Sequence, residues 1–404
     1  MKGGILATAL VACTLMLLAV LTLLSLFDLE NALYGGSRSR KQKKAFLEAA
    51  LLLYERDSAF MERLDENGSF RVFGEDSASR VAFIGERWGL YEAVRVSTDG
   101  GKVRAARLVG YAVPARPAAL YVCDNRRAFT LAGNSDVRGR VYVPKNGLLY
   151  GQVQGNFYSG KKVPETDIQV SSESLPALVA GMPDAVTRWM TAGDSVAELT
   201  PGFVERVSFF DPVRFFRADD LSGVSLEGHI VVRSDGWLRI DSTSRLKNIL
   251  AVARCVRIGE GFAGSLQAMA SDTVIVESRV RMKYPSGIAM PDAAPESRLE
   301  IGPGSEVNGY AVFRLRESPQ TNGKVIHYLQ QEKSRVRGLV WIDGTAEVHG
   351  IVTGSLWVRQ ADYRTPQGMY GNLLYNAAVY GSDIVAYPCW MEGIARKKTV
   401  GWLE

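Results

Sequence analysis

The stretch from Ile5 to Phe27 contains no charged residue, and this feature constrains the fold of the chain most strongly. A helix of this length rises about 1.5 Å per residue and crosses the roughly 30 Å hydrocarbon layer of a bilayer with some tilt. We therefore predict an N-terminal transmembrane helix that stays attached to the mature protein. The side chains expected to contact lipid tails along this anchor are Ile5, Leu10, Leu17, Leu24 and Phe27.

Two other uses of an apolar N-terminus compete with this prediction. A cleaved secretory signal normally has an apolar region of about 7 to 15 residues before a small-residue cleavage site, and the stretch here is longer. The segment Leu10-Val11-Ala12-Cys13 resembles the lipobox of bacterial lipoproteins, in which the cysteine is lipidated after cleavage. Because apolar sequence continues beyond Cys13, where a lipoprotein has a polar tether, the anchor is the preferred interpretation.

A basic cluster with no acidic residue follows the anchor, at Arg38, Arg40, Lys41, Lys43 and Lys44. It accounts for the whole net charge of +5, so the remainder of the chain is electrically balanced. A nucleic-acid-binding domain carries its basic excess on the folded body, whereas a cluster beside a membrane helix is attracted to anionic lipid. We expect these five side chains to contact lipid headgroups, and we expect no nucleic-acid partner.

Two signals disagree about the side of the membrane on which the rest of the chain lies. The positive-inside rule compares Lys2, before the helix, with the basic cluster after it and favours a cytoplasmic location. The acidic residues Asp28 and Glu30, directly after the helix, favour export. We predict a single-pass protein of the bacterial inner membrane whose body is extracytoplasmic.

A second helix is predicted after the anchor, beyond a break at Gly35-Gly36. One face of this helix carries Phe46, Ala49, Ala50 and Leu53. With Lys2-Gly3-Gly4 as a short basic leader, the run from Ile5 to Glu55 resembles the N-terminal module of minor type IV pilins and general-secretion pseudopilins. Because no glutamate stands at the fifth position of the mature chain that such a leader implies, the resemblance points to a minor subunit. An ordinary anchor followed by an amphipathic stalk is the alternative.

A pattern of apolar residues recurs in the rest of the chain. With Leu131, Ile240, Ile301 and Ile342 as position zero, apolar residues stand two earlier and six later, and glycine or asparagine stands eight later. The alternation predicts a strand with one buried face, and glycine or asparagine tolerates the positive φ of a corner. Ile240, Ile258 and Val276 follow at a constant spacing of 18 residues, which suits three strand-and-corner sides per turn. The predicted interior residues are Leu131, Val137, Ile240, Ile258, Val276, Ile301, Val307, Ile342 and Val348.

These patterns predict a mainly β protein, in which an N-terminal transmembrane α-helix precedes a parallel β-helix, or solenoid, with insertions. An antiparallel sandwich or barrel shares the alternation but does not require the regular spacing. The coils from Leu226 to Val358, and near Phe129 to Val143, resemble bactofilins, the polymer-forming bacterial β-helix scaffolds. We expect an anchor and amphipathic stalk in residues 1–60 and a β-rich body in residues 61–404. The β-helix core is expected at about 120–170 and 222–360, with a helical insertion near 174–192.

Residues suited to catalysis or metal binding are few and scattered. None of the three histidines has another ligand at a familiar metal-binding spacing, so we expect no metal, no cofactor and no enzymatic activity. His349 is expected to face solvent at a corner, and the four cysteines to be buried thiols, although one disulfide is possible. Asp136, Glu306 and Glu347 recur at one repeat position and could stack into an acidic ladder, although a solvated outer face is the simpler interpretation.

The sequence therefore predicts a non-catalytic structural or assembly component of a bacterial envelope apparatus, built as a pilin-like, membrane-anchored β-helix subunit. Its expected partners are membrane lipid and either other proteins or further copies of itself in a pilus-like complex. One alternative is a bactofilin-like cytoskeletal scaffold attached to the membrane, with its body in the cytoplasm. Another is a carbohydrate-binding or carbohydrate-active β-helix, whose partner is a polysaccharide.

Overall fold

The computed structural model describes residues 3–57, 59–74, 79–98, 101, 103–178, 184–192, 196–316, 325–388 and 396–403. The chain forms two compact units. The first unit comprises Met1–Tyr54, Ala59–Phe83 and Val96–Ala105. The second unit comprises Glu55–Ser58, Ile84–Arg95 and Ala106–Glu404.

Helix α1 runs without interruption from Gly3 to Arg56, so the predicted break at Gly35-Gly36 is wrong. Each glycine weakens a helix by about 1 kcal/mol relative to alanine. The helix nevertheless continues, because the strong helix formers on both sides supply a cooperative ladder of hydrogen bonds. Within the described residues, α1 is long and apolar enough to cross a membrane.

The last three turns of α1 pack into the first unit through one apolar face. Its buried side chains are Phe46, Leu47, Ala50, Leu51 and Tyr54. The buried face is therefore rotated slightly around the helix from the predicted one, since Ala49 and Leu53 are only half-buried. The Tyr54 ring packs edge-on against Phe60 at 5.4 Å between ring centres, and Phe46 lies 5.6 Å from Phe73.

The other helices in the described part of the chain are short. A 3₁₀ turn spans Phe60–Arg63, another spans Glu165–Asp167, and α2 spans Asp184–Thr191. The predicted helical insertion near 174–192 is thus narrower than expected, because residues 171–178 are not helical and Pro176 lacks the N–H that a helix interior requires. Val186 and Trp189 of α2 are buried.

The strands, in chain order, are β1 Ser69–Arg71, β2 Arg80–Trp88, β3 Tyr91–Thr98, β4 Arg104–Tyr111, β5 Ala118–Val122, β6 Phe129–Ala132, β7 Asp136–Arg138, β8 Arg140–Val143, β9 Leu148–Tyr150, β10 Gln152–Val153, β11 Asn156–Phe157, β12 Ile168–Val170, β13 Val196–Glu198, β14 Val204–Val207, β15 Arg214–Arg217, β16 Ser225–Gly228, β17 Ile230–Ile240, β18 Arg245–Ile258, β19 Ala263–Val276, β20 Arg281–Ala293, β21 Arg298–Ile301, β22 Glu306–Leu315, β23 Tyr328–Gln330, β24 Arg335–Val348, β25 Ile351–Thr365, β26 Gly368–Gly371, β27 Leu373–Tyr375, β28 Ala378–Gly381 and β29 Lys397–Leu403.

A small sheet has the strand order β1-β2-β3-β4-β29. Strand β1 pairs with β2 in the antiparallel direction, as β29 does with β4. The C-terminal strand therefore completes a sheet whose other strands come from the N-terminal part of the chain.

Most other strands pair in parallel and form a sheet that closes on itself. The long strands β18, β19, β20, β22, β24 and β25 each pair with the next in that order. The chain is thus mainly β with one long N-terminal apolar helix. Parallel strands that are buried on both faces are rich in Val and Ile, as these are.

Equivalent positions of successive strands line up in columns of buried side chains. One column runs through Ile240, Ile258, Val276, Ile301, Gln330 and Val348. A second column runs through Val307, Val336, Val352, Val379 and Val137. All members of both columns are at most 4% exposed.

The predicted equivalence of Ile342 with Ile301 is wrong. Ile342 pairs with Phe313 and Val358, whereas Val348 lies in the column of Ile301, with Gln330 between them. Both residues are buried as expected. Ile342 was assigned to the wrong column because every side of the sheet shows the same alternation of apolar and polar residues. Spacing along the chain therefore does not identify the side of the sheet on which a residue lies.

Two distant segments of the chain meet in this sheet, at a junction that we call the seam. Strand β5 pairs with β25, β6 pairs with β27, and β7 pairs with β28, all in parallel. The residue pairs that face each other across the seam include Leu120 and Leu356, Leu131 and Leu374, and Val137 and Val379. The strands of residues 118–143 therefore lie beside those of residues 351–380, although all of residues 144–350 separate them in the chain.

Candidate functional site

The predicted anchor residues lie on the exposed surface of α1. Leu10, Leu17, Leu24 and Phe27 are each more than half exposed, and the side chain of Ile5 lies outside the described residues. These exposed apolar side chains belong to the part of α1 that is long and apolar enough to cross a membrane.

Polar side chains within the apolar stretch are satisfied by the helix itself. The Thr14 hydroxyl donates to the Val11 carbonyl oxygen at 2.9 Å, and the Thr22 hydroxyl donates to the Ala19 carbonyl oxygen at 2.8 Å. Ser25 donates to the carbonyl oxygen of Leu21 at 2.7 Å. These bonds remove the cost of placing hydroxyl groups in hydrocarbon.

The basic cluster forms a collar around α1 rather than a stripe. All five residues lie in the helix, with Lys43 half-buried and the other four exposed. At 3.6 residues per turn, their side chains occupy an arc of about 220° around the axis. Arg38 stands about 16 Å along the axis beyond Phe27, whereas a headgroup layer is only about 5–8 Å thick. Direct contact of the collar with headgroups therefore requires a tilted helix.

Two of the three histidines are buried and bonded within the second unit. The Nδ1 atom of His229 lies 2.8 Å from the Asp211 carbonyl oxygen, and its ring stacks on Phe209. His327 donates from Nε2 to the Pro295 carbonyl oxygen at 2.9 Å and accepts the Thr345 N–H at Nδ1. Burial lowers the pKa of His327, which keeps its ring neutral.

His349 borders a cleft of about 810 Å³ in the second unit. Contrary to the expectation that it faces solvent, its side chain is only 18% exposed, and its Nε2 lies 2.9 Å from Glu347 Oε1. The Arg364 N–H also donates to Glu347 Oε1, at 3.3 Å. Arg298 and Glu296 contribute further charged groups to the cleft. A hydrogen-bonded carboxylate–imidazole pair therefore lies at the edge of this cleft.

Asp136, Glu306 and Glu347 do not stack into the acidic ladder that was the alternative to a solvated outer face. Their partners in the adjacent strands are Ala378 for Asp136, Arg281 and Arg335 for Glu306, and Leu329 for Glu347. The three acids therefore lie on separate strand pairs. The shared repeat position reflected the alternation common to all sides of the sheet, as it did for Ile342.

The cysteines and potential metal ligands are dispersed in the part of the chain that the structure describes. Cys13, Cys123 and Cys255 are free thiols, and Cys389 lies outside the described residues. Cys123 and Cys255 are buried as expected, whereas Cys13 is exposed on α1. Burial raises the pKa of Cys123 to about 12, so its thiol is protonated at neutral pH. The described residues contain no group of three or more metal-ligating side chains.

Sequence reasoning overlooked a second cleft, of about 590 Å³, which we call the β29 cleft. It is lined by residues of β16, β18, β19, β20 and β29. The available signal was Trp402, a large apolar side chain that is 60% exposed on β29.

The chain matches no protein-family model, no curated protein and no solved structure.

Proposed function

We propose that this chain is a single-pass bacterial membrane protein whose body is a parallel β-helix and serves as a structural subunit of an envelope assembly. The proposal is carried by the column of buried side chains at Ile240, Ile258, Val276 and Ile301, on strands β17, β18, β19 and β21, each of which pairs with the next in that order. Repeating one side-chain position on every turn stacks the turns along a single axis. A stack with a continuous apolar interior is stiff, which suits a structural role without catalysis.

The pilin-like part of the proposal is supported by the length of α1. The helix extends from the apolar stretch at Phe27 to Arg56, about 43 Å further along the axis. An anchor that ends at the membrane surface needs no such extension. A helix that both crosses the bilayer and packs into a folded unit is what a minor pilin or pseudopilin uses to enter an assembly, and lipid, other proteins or further copies are the proposed partners.

The β-helix itself is tested by methyl nuclear magnetic resonance on protein labelled at Ile and Val. The side chains of Ile240, Ile258 and Val276 should show contacts in sequence along the column, at spacings of about 4.8 Å. Contacts that place any two of them in antiparallel hairpins, or on opposite faces of the sheet, would contradict the β-helix.

The membrane anchor is tested by fractionation. Full-length protein should stay with membranes after an alkaline wash, whereas protein lacking residues 1–36 should be soluble. The variant Leu17→Arg/Leu21→Arg keeps the length of α1 but should also leave the membrane fraction, because each arginine at the bilayer centre costs about 3 kcal/mol. Leu52→Arg, an exposed position of α1 beyond the apolar stretch, is the control and should remain membrane-bound.

We propose that the body lies outside the cytoplasm, in keeping with Asp28 and Glu30 directly after the apolar stretch. The collar opposes this orientation, but its position along α1 places it beyond the headgroup layer of an upright helix. A C-terminal alkaline phosphatase fusion should be active, and a fluorescent fusion that matures only in the cytoplasm should be dark. The reverse result would favour the bactofilin-like cytoskeletal scaffold.

A further inference from the structure

The β29 cleft displays two aromatic side chains. Trp402 is 60% exposed and Tyr284 is 37% exposed, and both line the cleft. Burial raises the pKa of Tyr284 to about 12, so its phenol stays neutral. The cleft therefore offers flat apolar rings to a ligand.

A buried ionic network supports the Trp402 ring. The guanidinium of Arg107 lies over the indole, 4.3 Å from the ring centre. Arg107 is only 6% exposed and pairs with Glu55 at 3.3 Å between Nη1 and Oε1. Thr399, on the same strand as Trp402, donates its hydroxyl to Glu55. The ring is thus pre-organised, which lowers the entropy lost when a ligand binds to it.

The charged groups of the cleft are mainly cationic. Arg245, Lys247 and Lys283 line it together with a single acid, Glu227. Lys247 pairs with Glu227 at 2.6 Å. Neither Arg245 nor Lys283 has an ion-pair partner among the residues that the structure describes, so two positive charges are available to a ligand.

The cleft crosses several strands instead of ending in a pocket. Glu227, Lys247 and Ser265 face one another on three adjacent parallel strands, β16, β18 and β19. Adjacent strands are about 4.8 Å apart, so the polar groups form a row along the direction in which the strands are stacked. A row of this kind suits an extended polymer better than a compact small molecule.

We infer that the β29 cleft binds an acidic polysaccharide. The apolar C–H face of a sugar ring stacks on the exposed rings of Trp402 and Tyr284, while carboxylates on the polymer pair with Arg245 and Lys283. Hydroxyl groups of the sugar hydrogen-bond to the Glu227–Lys247 pair. A single-stranded nucleic acid also combines stacking bases with negative charge, but it offers few hydroxyl groups to the Glu227–Lys247 pair, so a polysaccharide fits the lining of the cleft better.

The test uses full-length protein in lipid nanodiscs, with polygalacturonate as the probe and Trp fluorescence or calorimetry as the readout. Polygalacturonate should bind, and neutral dextran should bind at least about tenfold more weakly. Trp402→Ala and the double variant Arg245→Gln/Lys283→Gln should each weaken polygalacturonate binding by about tenfold or more, the range expected for loss of an aromatic or arginine contact. Binding should weaken further as salt is raised, because the cations are exposed.

Trp237→Ala is the matched control. Trp237 is also exposed, at 41%, and also lies near an arginine, Arg257, but it is not part of the β29 cleft. This variant should bind polygalacturonate within about twofold of the unaltered protein. The inference is overturned if polygalacturonate does not bind, if Trp237→Ala loses as much affinity as Trp402→Ala, or if a poly(dT) oligonucleotide binds more tightly than polygalacturonate.

Discussion

A single buried side chain, Gln267, joins the turn between β2 and β3 to the parallel sheet of the second unit. Its Nε2 donates to the Trp88 carbonyl oxygen at 2.9 Å. Its Oε1 accepts the Leu90 N–H at 3.0 Å and the Tyr310 hydroxyl at 2.6 Å. A Cβ at Gly89 would lie 2.2 Å from that Oε1, and Gly89 has a φ of +60°, so glycine is needed there for both space and conformation.

Replacing Gln267 with leucine should lower the free energy of unfolding by about 3 kcal/mol. The buried Trp88 carbonyl and Tyr310 hydroxyl would lose their partner, and the Leu90 N–H would keep only its 3.4 Å bond to the Tyr310 hydroxyl. Each unsatisfied buried group costs about 1–3 kcal/mol. Chemical denaturation followed by Trp fluorescence measures the change. Gln169→Leu, on exposed residue Gln169 of β12, should shift stability by less than about 0.5 kcal/mol, and similar losses in the two variants would refute this role.

The stability of the protein should fall as the pH is lowered through about 6.5, partly because of His327. Burial lowers its pKa below the ordinary value of 6.5, so the unfolded chain binds a proton more readily than the folded one. The resulting loss begins near pH 6.5 and continues down to the lowered folded-state pKa. His327→Gln should show a smaller loss between pH 8 and pH 5 in thermal unfolding, whereas parallel profiles for the two proteins would contradict the assignment.

At the scale of elements, the same alternation gives each strand an interior and an exterior face. On β18, Ile258 is buried and its neighbour Arg257 is exposed. On β19, Val276 is buried next to Ile258, and Ile275 lies beside Arg257 on the opposite face. An isoleucine therefore does not always lie on the interior face of its strand, since Ile275 is half-buried on the outer face.

Ile258→Asp should unfold the second unit, because an unpaired carboxylate in the apolar interior costs several kcal/mol. Ile275→Asp is the matched control: it introduces the same group on the adjacent strand, beside Arg257, and should cost less than about 1 kcal/mol. Circular dichroism and thermal unfolding distinguish the two variants. Equal effects would mean that Ile258 and Ile275 do not lie on opposite faces.

At the scale of the whole molecule, the seam makes residues 118–143 part of the same sheet as residues 351–380. Leu120 and Leu356 are both fully buried and face each other across it. Their pairing closes a long stretch of chain, so the entropy of ordering that stretch must be offset by contacts across the whole sheet.

A double-mutant cycle at Leu120 and Leu356 should reveal this contact. Each single change to alanine should lower the free energy of unfolding by about 2–4 kcal/mol. The double variant should lose about 0.5–1 kcal/mol less than the sum, because the two side chains fill a shared space. Leu120→Ala combined with Val276→Ala, at strands about 24 Å apart along the sheet, should be additive within about 0.5 kcal/mol.

The sequence by itself determined the features that depend on local periodicity. The uncharged run from Ile5 to Phe27 specifies an apolar helix, because its composition alone decides which solvent it prefers. The spacing of Ile240, Ile258 and Val276 likewise placed them correctly on matching, buried positions of neighbouring strands. Both features arise within stretches that are short compared with the chain.

Only the tertiary structure decided which distant stretches meet. Three features depend on pairings between remote segments of the chain. They are the column to which Ile342 belongs, the seam at Leu120 and Leu356, and the cleft that brings Trp402 together with Tyr284 and Arg245. Alternation of apolar and polar residues is the same on every side of the sheet, so it carries no information about which strands are neighbours. Those partners are selected by the summed free energy of packing over the whole chain, which no local pattern contains.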